Sequence, residues 1–191
     1  MEVFGHLEQI TAFVWDQLVK APHQKRHPWR IATIANVVGQ RVLQRSVVLR
    51  KAITNDRMLR FYTDVRSAKI QPLPENDRFS WLFYDPRRQV QLRLQTTARL
   101  LDSEQAAELW EEIPAFARKD YASIAPPGTI REELPLAAAA DPLAGARQNF
   151  GVVDCIIEQM EVLQLHREGH RRAEFQWMSE TQSWAGHWLV P

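Results

Sequence analysis

The chain has 191 residues, of which 45% are hydrophobic and 25% are charged, a composition typical of a globular domain rather than of a disordered, fibrous or membrane-spanning protein. Its formal net charge of +1 gives no reason to expect a nucleic-acid partner. The single cysteine excludes an intramolecular disulfide and a cysteine-based zinc cluster, and the seven glycines include neither of the common glycine loops for nucleotide phosphates.

The first part of the chain combines one helix with a series of strands. Apolar residues at helical spacing predict a helix over about residues 4–20, which the polar, proline-containing segment 21–29 ends. This start lacks the basic region and cleavage site of a signal peptide, and no stretch is apolar enough to span a bilayer, so we expect a cytoplasmic protein without a membrane partner. Val- and Ile-rich runs then predict antiparallel strands at Ile31–Val38, Arg41–Ile53 and Met58–Thr63.

The middle of the chain predicts a short helix, two more strands and a second helix. Ser67–Leu73 is interpreted as a single helical turn or short helix that the nearby prolines end. Phe79–Tyr84 is predicted as a strand, and the strict alternation from Gln89 to Leu100 predicts a long strand with one wet face. Asp102 has the spacing of a helix N-cap, and Pro114 is expected to end or kink the helix that follows.

The last third of the chain returns to strands after a long connection. Residues 122–148 are rich in Pro and Ala and predict an excursion from the core. Apolar runs then predict strands at Phe150–Ile157, Val162–Leu165, Ala173–Met178 and His187–Val190. The sequence therefore predicts a single domain over 1–191, mainly β with flanking helices (α+β), built as a six- to eight-stranded antiparallel barrel.

The strand Arg41–Ile53 contains the first of three polar motifs. Nineteen of the 24 basic residues are Arg, whose planar fork suits phosphate. Alternation places Arg45, Val47 and Leu49 on one face of this strand, and Ser46, Val48 and Arg50 on the other. A structural strand with two solvated arginines explains the same pattern.

The second motif, FYTDVRSAK, joins the end of a strand to the predicted short helix. Thr63 and Ser67 offer hydroxyls, Lys69 offers a positive charge, and the start of a helix offers free N–H groups. Together these groups can hold a phosphate without a glycine loop. The structural alternative is a Ser67 N-cap followed by an exposed lysine.

The third motif, RRQVQLR, leads a turn into the long strand. Gln89, Gln91 and Arg93 share one face of this strand, and their amide and guanidinium groups can bond the polar edge of a flat heterocycle. An exposed sheet face is the alternative interpretation.

Two other features are interpreted as structural. The histidine pairs at positions 23 and 27 and at positions 166 and 170 have a metal-like spacing but no supporting carboxylate, so we expect no metal site. Cys155 lies in the apolar run VVDCII and is expected to be a buried, unreactive thiol.

The order and spacing of RSVVLR, FYTDVRSAK, the aromatic strand WLFY and RRQVQLR resemble the pyridoxamine 5′-phosphate oxidase family of FMN-binding split barrels. The form found here is most similar to a cyanobacterial and plant branch. The resemblance spans about residues 25–100, weakens over 101–125 and is loose in the C-terminal third. It implies a split β-barrel that binds FMN without a covalent bond.

The resemblance also implies a role for individual residues around FMN. Arg45, Ser67 and Lys69 would hold the phosphate, and the strand Ser46–Arg50 would lie along the flavin ring. Tyr62 and Thr63 would flank the ring, and Gln89 would bond its pyrimidine edge. The cofactor-binding residues are thus expected to be Arg45, Ser46, Val47, Val48, Leu49, Arg50, Tyr62, Thr63, Ser67, Lys69, Arg88 and Gln89.

Members of this family are homodimers with FMN at the subunit interface, and the resemblance implies the same here. The implied reaction is oxidation of a small phosphorylated substrate, pyridoxamine or pyridoxine 5′-phosphate, with hydride transfer to the flavin and reoxidation by O₂. The substrate-binding residues are expected to be Arg50, Arg118, Tyr121, Arg171 and Arg172. Another FMN-dependent reductase on the same barrel, or a non-catalytic flavin- or haem-binding protein, remains an alternative.

Three departures from the family pattern bear on this reading. Arg50 stands where the family has a lysine that reaches the substrate, and Ala68 replaces an arginine that contacts the phosphate. Arg66 would compensate for Ala68 if its side chain turned inward. The Arg–His pair of the family's C-terminal motif has no clear counterpart, so no catalytic residue is assigned.

Overall fold

The computed structural model describes residues 3–132 and 145–191, and its centre is an antiparallel sheet of eight strands within those residues. In chain order the strands are β1 (Ile31–Val38), β2 (Arg41–Ile53), β3 (Met58–Asp64), β4 (Arg78–Asp85), β5 (Val90–Leu100), β6 (Phe150–Gln164), β7 (Arg171–Met178) and β8 (Ser183–Leu189). The spatial order is β3-β2-β1-β4-β5-β6-β7-β8, and a further pairing of β3 with β6 closes the first six of these into a barrel. The predicted antiparallel barrel is confirmed, and β7 and β8 extend the sheet beyond it.

Strand β6 is longer than expected, and the prediction of two separate strands at Phe150–Ile157 and Val162–Leu165 is wrong. Residues 158–161, which separate these two runs, stay in the strand, and the pairing with β5 passes over Glu158 as a β-bulge. Glu158 contacts Thr97 of β5, and Gln159 donates to Glu174 of β7 at 2.6 Å. The first half of β6 pairs with β3 and the second half pairs with β7, so one strand belongs to both the barrel and its extension.

A group of large aromatic side chains lies in the interior of the barrel, among a larger number of aliphatic ones. Phe79, Trp81 and Phe83 alternate on β4 and are at most 1% exposed. The rings of Trp81 and Phe83 stack with centroids 5.8 Å apart, and Trp29 contacts Phe83 at 5.7 Å. Because large side chains fill a small barrel, a ligand site is expected at the strand ends or on the outer face.

Four α-helices surround the sheet in the described residues: α1 (Leu7–Lys20), α2 (Ser103–Glu111), α3 (Ala115–Arg118) and α4 (Ala146–Asn149). Helix α1 begins three residues later than the predicted start and packs Ile10, Val14 and Leu18 against the core. None of the helices described is long and apolar enough to cross a membrane.

The second helix begins and ends as its sequence indicates. The Asp102 carboxylate accepts a hydrogen bond from the Gln105 N–H at 2.8 Å, which confirms the predicted N-cap. Pro114 lies beyond the end of α2 and is the N-cap of α3. The excursion predicted over about 122–148 falls partly on residues 133–144, which lie outside the described residues.

The short helix predicted at Ser67–Leu73 does not form. Instead, Ser67, Ile70 and Leu73 each donate a backbone hydrogen bond to the residue three positions earlier, at 2.9 to 3.1 Å. These bonds are spaced by three residues, so they make separate turns rather than a helical ladder. Pro72 contributes because it cannot donate a helical hydrogen bond. The expected helix N-terminus is therefore not part of any site here.

Candidate functional site

One group of polar residues meets at an end of the barrel. The Lys69 ammonium donates to the hydroxyls of Thr63 and Ser67, both at 2.7 Å. Thr63 is the second-last residue of strand β3, and the turns that follow bring Ser67 and Lys69 back to it. The second sequence motif thus forms a compact polar cluster, although its residues lie on turns rather than at the start of a helix.

Two further residues complete this group from strands β1 and β2. The Arg45 guanidinium donates to the side-chain oxygen of Asn36, and the Asn36 amide donates to the Lys69 carbonyl at 3.2 Å. Asn36 is only 4% exposed, so its side chain is committed to these two bonds. We call Asn36, Arg45, Thr63, Ser67 and Lys69 the Lys69 cluster.

The sequence analysis missed Asn36, although a signal for it exists. Ala32 and Ile34 precede it on the buried face of β1, so a polar residue occupies an inward-facing position. A buried amide of this kind needs hydrogen-bond partners, and Arg45 supplies one.

The Lys69 cluster carries positive charge without a matching carboxylate. Burial, and secondly repulsion by Arg45, lowers the pKa of Lys69 to about 8, with Asp64 opposing the change. Burial also lowers the pKa of Arg45. Within the described residues neither cation forms an ion pair, because the Asp64 carboxylate is bound to Arg66 at 2.6 Å. Two adjacent cations with two hydroxyls suit a phosphate group, whose oxygens accept from both.

Arg66 does not turn inward to replace the arginine that the family has in place of Ala68. Its guanidinium holds Asp64 through Nε and Nη2, and it also donates to the carbonyls of Ser123 and Ile124 at 2.9 and 3.0 Å. The condition under which Arg66 would compensate for Ala68 is therefore not met. Its role is to tie the segment after α3 to the turn that carries Ser67.

Strand β2 presents its two faces as the sequence predicts. Val47 and Leu49 are buried in the core, so only their backbone is available to a ligand. Ser46 and Arg50 are exposed and Val48 is half-buried on the outer face. The Ser46, Val48 and Arg50 side chains thus form a shallow outer surface beside the Lys69 cluster.

Aromatic rings form a second group next to this outer surface. Tyr62, Trp110, Tyr121 and Phe150 contact one another with ring centroids 5.1 to 5.9 Å apart, and we call them the aromatic cluster. The Arg50 guanidinium lies 5.3 Å from the centre of the Tyr62 ring. The cluster thus places an aromatic wall beside an exposed cation.

The two tyrosines of the aromatic cluster are hydrogen-bond donors rather than bases at neutral pH. Burial raises the pKa of Tyr121 to about 12, and the Arg50 charge only partly opposes this. Burial likewise raises the pKa of Tyr62. Both hydroxyls therefore keep their protons and can donate to an acceptor on a ligand.

Arg118 lies at the aromatic cluster, but most of its donors are in use. Its guanidinium is 5.1 Å from the Trp110 ring centre, and it donates to the carbonyls of Ile113 and Glu111 at 2.9 and 3.2 Å. These bonds satisfy backbone groups at the end of α2, as a C-terminal arginine often does. In the structure Arg118 therefore stabilises the end of α2, and its role in substrate binding stays a prediction.

The other predicted site residues lie at the far end of the sheet. Arg88 pairs with Asp85 at 2.9 Å, and Gln89 is exposed in the β4–β5 turn with a φ of 52°. Arg172 pairs with Glu161 at 3.2 Å, and Arg171 bonds nearby carbonyls.

The register of β6 shows how far apart the two groups are. Tyr62 pairs with Val152 and Arg172 pairs with Leu163, eleven residues further along β6. At roughly 3.3 Å per residue this is about 35 Å of strand. One chain therefore does not bring Arg88, Gln89, Arg171 and Arg172 to the Lys69 cluster or the aromatic cluster.

A known family model matches the part of the chain that contains the Lys69 cluster. Residues 12–102 match the family model of the pyridoxamine 5′-phosphate oxidase FMN-binding domain. This range contains the whole Lys69 cluster and the β4–β5 turn. None of the curated proteins matches the sequence significantly.

Solved structures share the fold over most or all of the chain. A pyridoxamine 5′-phosphate oxidase-related, FMN-binding protein from Nostoc punctiforme has a TM-score of 0.73 at 23% identity, with 100% of both chains covered. PhzG from Burkholderia lata, solved with tetrahydrophenazine-1-carboxylic acid, has a TM-score of 0.69 at 19% identity, with 97% of this chain and 90% of that chain covered. A Clostridium acetobutylicum protein related to general stress protein 26 has a TM-score of 0.51 at 13% identity, covering 75% and 84%. These likenesses show that the chain shares the split-barrel fold.

Proposed function

Because the chain, through residues 12–102, belongs to the family of pyridoxamine 5′-phosphate oxidase-like FMN-binding split barrels, we propose that it is a cytoplasmic FMN-dependent oxidase of a small phosphorylated amine or alcohol. The observation that carries the proposal is the Lys69 cluster. There, two cations and two hydroxyls converge with no carboxylate among their described ion-pair partners.

The residues present fit an FMN phosphate at this cluster. Lys69 and Arg45 lie close enough for repulsion to lower the Lys69 pKa, and a bound dianion would reverse that effect. The Thr63 and Ser67 hydroxyls are already aligned with the Lys69 ammonium and would donate to the phosphate. When bound, FMN supplies hydride-accepting and O₂-reactive chemistry that no side chain here provides.

The flavin ring is proposed to lie against the outer face of β2. Ser46, Val48 and Arg50 offer a shallow, mixed surface there, and Tyr62 borders it with Arg50 over its ring. The backbone of Val47 and Leu49 would contribute hydrogen-bonding groups rather than side chains, since both side chains are buried.

A second copy of the chain is proposed to complete the site. The outer face of β1, β2 and β4 carries apolar side chains that are 40–65% exposed, namely Ile31, Val37, Val42, Leu82 and Tyr84. We call these residues the apolar outer face. It is continuous with the outer surface of β2, because Ile31 pairs with Val48. Apolar surface of this kind is typical of an interface between subunits.

A homodimer would also explain why the predicted site residues occupy two separate places. Gln89 and Arg88 at the β4–β5 turn would approach the flavin bound by the partner, and Arg171 and Arg172 would approach the partner's substrate. Each site would then combine the Lys69 cluster of one chain with the far end of the other.

The proposed substrate is pyridoxamine or pyridoxine 5′-phosphate. Arg50, which no acidic side chain pairs with in the described residues, would meet its phosphate together with Arg171 and Arg172 of the second copy. The Tyr121 hydroxyl would donate a hydrogen bond, since its pKa is raised to about 12. The substrate carbon would lose a hydride and its nitrogen or oxygen a proton, and O₂ would take up the two electrons and two protons as hydrogen peroxide. An alcohol would give the aldehyde directly, whereas an amine would give an imine that water hydrolyses to the aldehyde and ammonia.

Two measurements on the purified protein test this proposal. A flavin absorbance spectrum that persists through gel filtration is expected, together with hydrogen peroxide and aldehyde formation when pyridoxamine 5′-phosphate is added in air. A yellow protein that forms neither product would contradict the oxidase activity and favour an FMN-dependent reductase or a flavin carrier. A colourless protein that does not take up added FMN would contradict the whole proposal.

A further inference from the structure

A carboxylate, Asp64, lies at the edge of the cationic Lys69 cluster. It directly follows Thr63 at the end of β3, and its carbonyl accepts from the Ser67 N–H at 3.1 Å. Burial and the Arg45 charge lower the pKa of Lys69, and the Asp64 charge opposes both. A negative charge in this place works against a bound phosphate, because like charges repel.

Arg66 binds both oxygens of this carboxylate. Its Nε donates to Asp64 Oδ1 at 3.0 Å, and its Nη2 donates to Oδ2 at 2.6 Å. The Arg66 backbone N–H donates to Oδ1 as well, at 2.8 Å. Because Asp64 is only 8% exposed, water does little to screen its charge, and the paired guanidinium supplies the counter-charge instead.

Lys69 has a donor left for a further acceptor. Two of the three N–H donors of its ammonium serve the hydroxyls of Thr63 and Ser67, both at 2.7 Å. The third could serve either a phosphate oxygen or the Asp64 carboxylate. The two anions would therefore compete for Lys69 if Asp64 were not held by Arg66 at 2.6 Å.

We propose that Arg66 is a positioning residue of the phosphate site, which binds Asp64 and so keeps this carboxylate from pairing with Lys69 and from repelling the phosphate of FMN. The inference rests on the proposed function, since it needs FMN at the Lys69 cluster. Arg66 acts through Asp64 and not by touching the phosphate. Its bonds to the carbonyls of Ser123 and Ile124, at 2.9 and 3.0 Å, hold the same guanidinium in place.

The affinity for FMN, measured by quenching of flavin fluorescence, tests this role. Arg66→Gln leaves Asp64 without its counter-charge and is expected to weaken FMN binding by about tenfold or more. Asp64→Asn combined with Arg66→Gln removes both charges and is expected to restore the affinity to within about threefold of the unmodified protein. Arg66→Lys keeps a positive charge beside Asp64 and should bind FMN more tightly than Arg66→Gln.

The pH dependence of the affinity gives a second readout. The charged groups that act on Lys69 are Arg45 on β2 and Asp64 at the end of β3, and an unpaired Asp64 would raise the pKa of Lys69 further. The fall in FMN affinity at alkaline pH is therefore expected to start at a higher pH in Arg66→Gln than in the unmodified protein. In the double variant it should return to the lower pH.

Arg78→Gln is the matched control, because this exposed arginine pairs with Glu158 and neither residue belongs to the Lys69 cluster. It also leaves a carboxylate without its arginine and should bind FMN like the unmodified protein. A loss as large as that of Arg66→Gln would overturn the specific role of Arg66. Asp64→Asn alone should bind FMN at least as tightly as the unmodified protein, and weaker binding would count against the inference even if Arg66→Gln did not fold.

Unchanged FMN affinity in Arg66→Gln would overturn the inference. So would a double variant as weak as Arg66→Gln, which would mean that Arg66 acts through its bonds to Ser123 and Ile124 or on the phosphate itself. Lys69→Met separates this inference from the proposed function. If Lys69→Met binds FMN weakly and Arg66→Gln binds it normally, only the role of Arg66 is wrong, whereas normal binding by Lys69→Met would overturn the proposed phosphate site as well.

Discussion

At the scale of single residues, Lys69 is the most informative side chain. Burial and the Arg45 charge lower its pKa to about 8, so the folded protein holds this proton less tightly than the unfolded chain does. Without an anion, this contribution destabilises the fold below about pH 8 and disappears as the pH rises towards the ordinary lysine value of 10.5. A dianion bound at Lys69 would raise its pKa again and remove the penalty.

The first prediction concerns the pH dependence of FMN binding. Because a bound phosphate dianion favours charged Lys69, the affinity is expected to be highest between about pH 7 and 8 and to fall between pH 8 and 9.5, by at most about tenfold per pH unit. Lys69→Met is expected to weaken binding at pH 7 by about 2 kcal/mol, roughly thirtyfold, and to flatten the profile. Quenching of FMN fluorescence measures both.

Lys51→Met is the control for this prediction, since Lys51 is an exposed lysine on β2 outside the Lys69 cluster. It should keep the affinity and the pH profile of the unmodified protein. If Lys69→Met also kept both, the phosphate would have to bind elsewhere.

Single residues also show how much of the site could be predicted from the sequence. Thr63, Ser67 and Lys69 lie within one short motif, so their proximity follows from local chain geometry. Asn36 joins them only through the pairing of β1 with β2 and the return of the turns, and this contact is not visible in a local pattern. The sequence leaves the direction of the Arg66 side chain open, and the structure shows it paired with Asp64 two residues earlier.

At the scale of elements, regular alternation predicted strands well and interrupted patterns did not. The bounds of β1 and β2 agree with the prediction to the residue, because their connecting turn is short and both strands are rich in Val, Ile and Leu. Glu158 and Gln159 interrupt the apolar pattern of β6, so the sequence does not show that the strand is continuous. Their hydrogen-bond partners lie on the neighbouring strands β5 and β7. At Ser67–Leu73 the cap-like Ser67 and the prolines at the end predict a helical turn or short helix, whereas the backbone hydrogen bonds there form separate turns.

The second prediction concerns helix α2, which packs Trp110 into the aromatic cluster. Asp102→Ala removes the acceptor for the Gln105 N–H and is expected to cost about 1 kcal/mol of the free energy of unfolding. For a chain of this size, that corresponds to a melting temperature lower by roughly 2–4 °C. Circular dichroism during heating measures the change. Asp102→Asn keeps an acceptor oxygen and should lose much less, and equal losses in both variants would mean that the charge matters rather than the cap.

At the scale of the whole molecule, the separation of the two groups of site residues is the main constraint. The Lys69 and aromatic clusters lie near the start of β6, whereas Gln89, Arg171 and Arg172 lie near its end. No rearrangement of side chains spans about 35 Å of strand. If all these residues serve one site, two chains must meet. Strand β2, which is proposed to contact the flavin, would then meet the partner at the apolar outer face.

The third prediction therefore tests the apolar outer face directly. Leu82 is 40% exposed near the middle of this face and pairs with Thr33 of β1, so Leu82→Arg would place a charge inside the proposed interface without disturbing the core. The unmodified protein is expected to have twice the monomer mass in gel filtration with light scattering, and Leu82→Arg to shift it to the monomer mass. Val19→Arg changes a similarly exposed residue on α1 and should leave the dimer intact.

Since each flavin would lose the partner's Gln89, the Leu82→Arg monomer should also retain less FMN. A Leu82→Arg protein that stays dimeric would move the interface to another surface, and the two groups of site residues would then have to serve separate ligands.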